Sequence, residues 1–353
     1  RYDEAGRLSR TTRPDGVAVV FSHDTSGNLV ELNDGAFAVR YGYDDRGNQT
    51  RISYPALGRS LSFSYDERDR LTRFVDSEGN AVSYRYDLFN RLTSVVTPAG
   101  DEVSISYDAK DRPTSIRYPN GIAESWRYDT ADRPLEIVYE DRSKKVLALR
   151  RYSYDAAGNP VEVSDGRGRV AQYSYDRSDQ LIEESGPWGF RRYSYRADGN
   201  RASMTDGEET VEYQYDPAGR LVRAGGESFS YDARGNMVER RGPEGRTSYV
   251  FDGEDRLVKA VLPDGESIRF GYAPTGERIW REDAAGRTWF VNDGDHRVAD
   301  LDEELQVAAS YLHGPWLDRP FAASSGGEVR WFLRDALGSI IALCDAASNL
   351  TDE

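Results

Sequence analysis

The feature that most constrains this chain is a beat. An aromatic residue followed by aspartate recurs at Tyr2, Tyr43, Tyr65, Tyr86, Tyr107, Tyr128, Tyr154, Tyr175, Tyr215, Tyr231 and Phe251, with degenerate copies at His23, Tyr195 and Tyr272. The intervals between these fourteen positions run from 16 to 26 residues and average about 21. Self-similarity at a fixed short period means that one small supersecondary unit is stacked many times.

The unit can be read residue by residue. The aromatic usually has an aromatic partner two positions earlier, as in Tyr41/Tyr43, Phe63/Tyr65, Tyr84/Tyr86, Trp126/Tyr128, Tyr152/Tyr154, Tyr173/Tyr175, Tyr193/Tyr195 and Tyr213/Tyr215. That spacing puts both rings on one face of a strand. Four residues after the second aromatic stands Gly6, Gly27, Gly47, Asp69, Asn90, Asp111, Asp132, Gly158, Asp179, Gly199, Gly219, Gly235, Asp255 or Gly276. These types tolerate positive φ best, so a type I turn closed by a left-handed residue is expected. The aspartate opening the turn (Asp44, Asp66, Asp87, Asp108, Asp129, Asp155, Asp176, Asp216 and Asp232 among them) acts locally, since its carboxylate accepts the N–H two residues on. A return strand follows, then a second turn rich in Pro and Gly, such as Pro98-Ala99-Gly100 and Pro263-Asp264-Gly265. The expected fold is all-β: tandem antiparallel hairpins in one continuous curled sheet, a spiral forming a partial shell or barrel. About fourteen repeats fill residues 1–288, and 289–353 lose strict periodicity.

The recurring types are Tyr, Arg and Asp rather than Val, Ile and Leu, which predicts that both sheet faces stay wet and that the object is hollow. Only four of the 46 cations are lysines (Lys110, Lys144, Lys145, Lys259), so arginine planes over tyrosine rings are expected to knit neighbouring strands. Fourteen hairpins at the usual strand spacing would make a ribbon about 130 Å across, enough to wrap partly round a small protein.

Charge and composition remove several function classes. A net charge of −15 repels nucleic acid. No apolar run approaches the ~18 residues of a membrane span, so membrane insertion by this segment is not expected. Paired carboxylates suggest a glycosidase or aspartic protease, yet aspartate repeated at one turn position reads as structural, and no catalytic residue is assigned. The histidines His23, His296 and His313 are widely spaced and compose no metal site or triad. Asn292-Asp293-Gly294-Asp295 with Asp300, Asp302, Glu303 and Glu304 lacks the ligand order of a calcium loop. Cys344 among apolar neighbours reads as a buried small hydrophobe, and no cofactor or metal is expected.

The motifs Tyr65-Asp66-Glu67-Arg68-Asp69-Arg70-Leu71 and Tyr215-Asp216-Pro217-Ala218-Gly219-Arg220-Leu221 resemble the YD repeat of Rhs proteins, of Tc toxin B and C components and of teneurins. The resemblance covers Tyr2 to about Phe290. Beyond it, the stretch from Tyr311 to Ala322 (with Gly314, Asp318 and Pro320) and that from Phe332 to Asp345 (with Asp335, Leu337, Gly338 and Ser339) are similar to the Rhs repeat-associated core. The resemblance implies a non-enzymatic shell segment that encloses or carries a polypeptide toxin, secreted or displayed on a bacterial surface. Its partners would be its own C-terminal cargo or other parts of the full-length shell. It also implies an aspartate self-cleavage motif, expected beyond residue 353. The alternative reading is an adhesion or carbohydrate-binding module that stacks glycans on Trp126, Trp188, Trp280, Trp289, Trp316 and Trp331; a third is a hydrolase.

Overall fold

The computed structural model describes residues 1–294, 296–314 and 319–352. Thirty-four strands form one antiparallel sheet that is not closed into a barrel, and strands consecutive in the chain pair as hairpins, as Arg10–Thr12 with Ala18–His23 and Arg59–Tyr65 with Leu71–Val75. Among the described residues the one helical element is the single turn Pro55–Leu57, and no helix is long and apolar enough to cross a membrane.

The sequence pattern explains the pairing. All fourteen expected left-handed positions have positive φ, from 59° at Asp69 and Asp179 to 102° at Gly158. The turn at Asp66 shows the geometry: Asp69 N–H donates to Asp66 O (3.1 Å) and Asp66 N–H to Arg70 O (3.0 Å). The extra turn residue shifts the strand register by one, between Ser64 and Tyr65 in the hairpin Arg59–Tyr65/Leu71–Val75. Gly225, Gly245 and their like serve the opposite turns.

The same turn recurs in the aperiodic tail. Asp302, Asp335 and Asp345 each donate from their N–H to the carbonyl four residues on, and Leu305 (φ 61°), Gly338 (88°) and Ser348 (68°) take the left-handed place. Leu301, Arg334 and Cys344 stand in the aromatic slot, which hides these copies from a motif search.

The chain divides into two compact units. One comprises residues 1–105, 250–261 and 266–332; the other comprises 106–249, 262–265 and 333–353. In the first, Val39, Ile52, Tyr54, Leu61 and Phe63 from early strands pack with Ile279, Val291 and Leu301 from late ones, nearly all excluded from solvent. In the second, Ile116, Tyr118, Ile122, Ile137, Tyr139 and Leu149 are buried, as is Leu333. The expectation that both faces stay wet therefore fails in these places. The face that carries the aromatic pairs is dry wherever a distant strand of the same unit returns over it, because hydrophobic surface of that extent is more stable covered than hydrated. It holds elsewhere: among the described residues no hydrophobic side chain between Ala171 and Ala260 is buried.

Candidate functional site

What the repeat builds is a set of straps. In ten repeats the tyrosine hydroxyl donates to a backbone carbonyl that opens the preceding return strand: Tyr43 to Leu29, Tyr65 to Gln49, Tyr86 to Leu71, Tyr128 to Pro113, Tyr154 to Pro134, Tyr175 to Pro160, Tyr195 to Leu181, Tyr215 to Arg201, Tyr231 to Leu221 and Tyr272 to Leu257, at 2.7–3.0 Å. Tyr107 ends the strand Glu102–Tyr107.

The aspartate does more than close an Asx turn. Asp66 Oδ1 accepts from the N–H groups of Arg68 and Arg70, and Oδ2 accepts from Arg70 Nε at 2.7 Å. Arg70 then lies 4.8 Å over the ring of Tyr86 in the next repeat, and its Nη1 donates to Asp87 O. Arg112 over Tyr128, Arg133 over Tyr154, Arg220 over Tyr231 and Arg256 over Tyr272 repeat the arrangement at 4.5–4.9 Å. Where asparagine follows the left-handed residue, as at Asn48, Asn159 and Asn236, its amide donates to the turn aspartate instead. These contacts hold the aspartate carboxyls below their ordinary range. The Arg70 hydrogen bond brings Asp66 to about 2, and Asp44, Asp87, Asp108, Asp129, Asp155, Asp216 and Asp232 move the same way. Asp176 accepts from the N–H groups of Ser178 and Gln180. A carboxylate so engaged is a tie rather than an acid or a nucleophile.

The core-like residues follow the same logic. Asp335 accepts from the N–H groups of Leu337 and Ser339 around left-handed Gly338, with Leu337 standing 87% exposed at the tip. Gly314 is buried, and Pro320 pairs with His313 across adjacent strands. Asp318, Trp316 and Asp295 lie outside the described residues.

Two groupings were not legible in the sequence. His296 and His313, 17 residues apart, bring their rings together in a tilted pair with centroids 4.7 Å apart, Asp293 lying 3.4 Å from His296 Nδ1. Glu124 is buried in the second unit, accepting from Tyr118 (2.7 Å) and Trp126 (2.6 Å), while Tyr139 bridges to the backbone of Arg334. Burial raises the Glu124 carboxyl above its usual range. The signal for it was parity: Glu124 falls in register with Trp126 and Tyr128 on the aromatic face. The acidic run near Asp293 is spent locally, Asp300 on Tyr311 and Glu303 on the Arg287 N–H, and no group of three or more metal-ligating side chains occurs among the described residues. Cys344 is fully buried, its thiol pushed up to about 11 by desolvation. Of the five described tryptophans only Trp188 is exposed; Trp331 is buried, and Trp280 and Trp289 pack on each other edge to face.

A family model, the teneurin YD-shell, matches residues 17–165 and 161–350. Among solved structures, the chain is similar to the Photorhabdus luminescens Tc holotoxin pore (TM-score 0.62, 16% identity, 99% of this chain and 23% of that one). It is also similar to the TcdB2-TccC3 complex (TM-score 0.60, 15% identity, 99% of this chain and 24% of that one). It thus spans about a quarter of the length of the solved chains it matches. A search of curated proteins finds no significant match.

Proposed function

Because the chain belongs to the teneurin YD-shell family of Rhs/YD-repeat proteins, we propose that it is a non-enzymatic wall segment whose sheet encloses or carries a polypeptide cargo. The observation that carries this reading is the aromatic face of the second unit. Where distant strands return over that face its residues are buried, as at Tyr139, but between Ala171 and Tyr249 its rings (Tyr173, Tyr193, Tyr213 and Phe229) stay partly exposed, and no hydrophobic side chain between those two residues is buried among the described residues. Arg201 lies over Tyr193 and Tyr213 at 4.5 and 5.7 Å, holding rings that both remain partly exposed. A rigid aromatic surface with polar rims takes extended polypeptide of varied sequence. The similar solved structures include complexes containing TccC3, and a cargo chain of toxin type, in a secreted or surface-displayed bacterial protein, is the corresponding proposal here. The work done is steric: the wall holds a chain away from solvent, and the turn carboxylates serve as ties.

The test is a photo-crosslinking amino acid at Phe229 in the full-length protein that contains this segment. Adducts to a polypeptide, abolished when the cargo region is deleted, are the expected result. Crosslinking unchanged by that deletion would overturn the reading, as would glycan binding dependent on Trp188.

A further inference from the structure

The longest interval in the repeat, the 26 residues from Tyr128 to Tyr154, builds a long hairpin from strands Pro134–Glu140 and Val146–Tyr154 around the turn Asp141–Lys145. Beside it, within the second unit, is a cleft of about 930 Å³. Its walls are this hairpin, the turn Asp165–Arg169 and the segment Ala346–Leu350. Five cations line it, Arg142, Lys145, Arg150, Arg167 and Arg169, against two carboxylates.

Both carboxylates are already engaged. Asp165 is paired with Arg169 at 2.6 Å and accepts from the Arg167 and Arg169 N–H groups. Asp141 accepts from the N–H groups of Ser143 and Lys145 and from the Ser143 hydroxyl. Arg142, Lys145 and Arg150 make no ion pair among the described residues; Arg142 and Arg150 reach only the carbonyls of Pro119 and Leu149. A concave positive site on a chain of net charge −15 is an electrostatic exception, and a cleft with low-dielectric walls focuses its field on whatever enters. Its apolar floor, Leu147, Leu149 and Ile341, and its size exceed what a lone anion fills.

We propose that this cleft binds an acidic peptide segment, with Arg142, Lys145 and Arg150 reading its carboxylates and the Leu147–Leu149 strand supporting its backbone. The proposal draws on residues other than the rings of the cargo reading, so either can fail without the other.

The test uses fluorescence anisotropy of a labelled octapeptide of Asp and Glu, with its Asn/Gln counterpart as control. The acidic peptide should bind at low salt, the control should not, and about 0.5 M salt should abolish binding. Lys145→Glu and Arg150→Gln should each weaken binding at least about tenfold, whereas Lys259→Glu, an equal charge reversal in the other unit, should leave it unchanged. Lys145 is exposed, so its variant folds even if Arg150→Gln does not. Equal losses from Lys145→Glu and Lys259→Glu, binding of the uncharged peptide, or displacement by equimolar inorganic phosphate would each overturn the proposal.

Discussion

The turn is where single residues decide most. Gly219 has φ +77°, and a Cβ added there meets only Asn200 at 3.9 Å, so space is available and the obstacle is the backbone conformation itself. Gly219→Val should therefore cost about 1–3 kcal/mol through strain alone, read as a lower urea midpoint. Asp216→Asn keeps an oxygen for the Ala218 and Arg220 N–H groups but replaces the acceptor of the Arg220 Nε bond at 2.7 Å; it should destabilise measurably, yet less than Gly219→Val. The reverse order by thermal melting would discount the turn geometry as the source of stability. All fourteen left-handed positions were legible because the turn admits few residue types there. Leu305 and Ser348 were not, since neither type is a usual occupant of that conformation and their aromatic partners are replaced.

Between one hairpin and the next, the arginine is the connecting part. Arg70 joins its own aspartate, the Tyr86 ring and the Asp87 carbonyl, a combination that requires a planar fork. A double-mutant cycle of Arg70→Lys with Tyr86→Leu should return a coupling of about 0.5–1 kcal/mol. Additive effects would show that the stacking contributes nothing. The same ties set an acid limit. Asp44, Asp66, Asp108 and Asp216 have folded pKa values below the ordinary 3.8, Asp66 at about 2, so their stabilisation is present above about pH 4 and disappears as pH falls through the folded values. Melting temperature should be level from pH 7 to about 5 and drop steeply between about 4 and 2. A curve that stays level to pH 2.5 would contradict the assignment. The strap was half legible: abundant arginine beside tyrosine pointed to stacking, whereas the reach of each tyrosine hydroxyl to the preceding strand leaves no trace in spacing.

At the scale of the whole chain, stability concentrates where strands far apart in sequence meet. Leu301 is fully buried with Ile52 and Leu61 in the first unit, and Leu301→Ala should cost about 2–5 kcal/mol. A comparable truncation of Met204, only half-buried in the second unit, should cost far less; urea titration of both variants checks the difference. These dry places escaped the sequence because strands remote in the chain meet there, as Leu301 with Ile52 and Arg334 with Tyr139, and such meetings repeat at no period, while the hairpins, made only of neighbours, were written into every copy.

Hairpins that pair only with their neighbours can be duplicated or lost without disturbing any strand ladder. Yet the Tyr54 hydroxyl donates to the carbonyl of Asn292, 238 residues away, and Tyr139 meets Arg334 195 residues on. Those two handshakes make the array count itself: a chain that gained or shed one copy between the partners would present the wrong residue at the rendezvous. Variation in length is thus tolerated locally and policed at a distance, so inheritance can lengthen such a protein freely only outside the spans these pairs enclose.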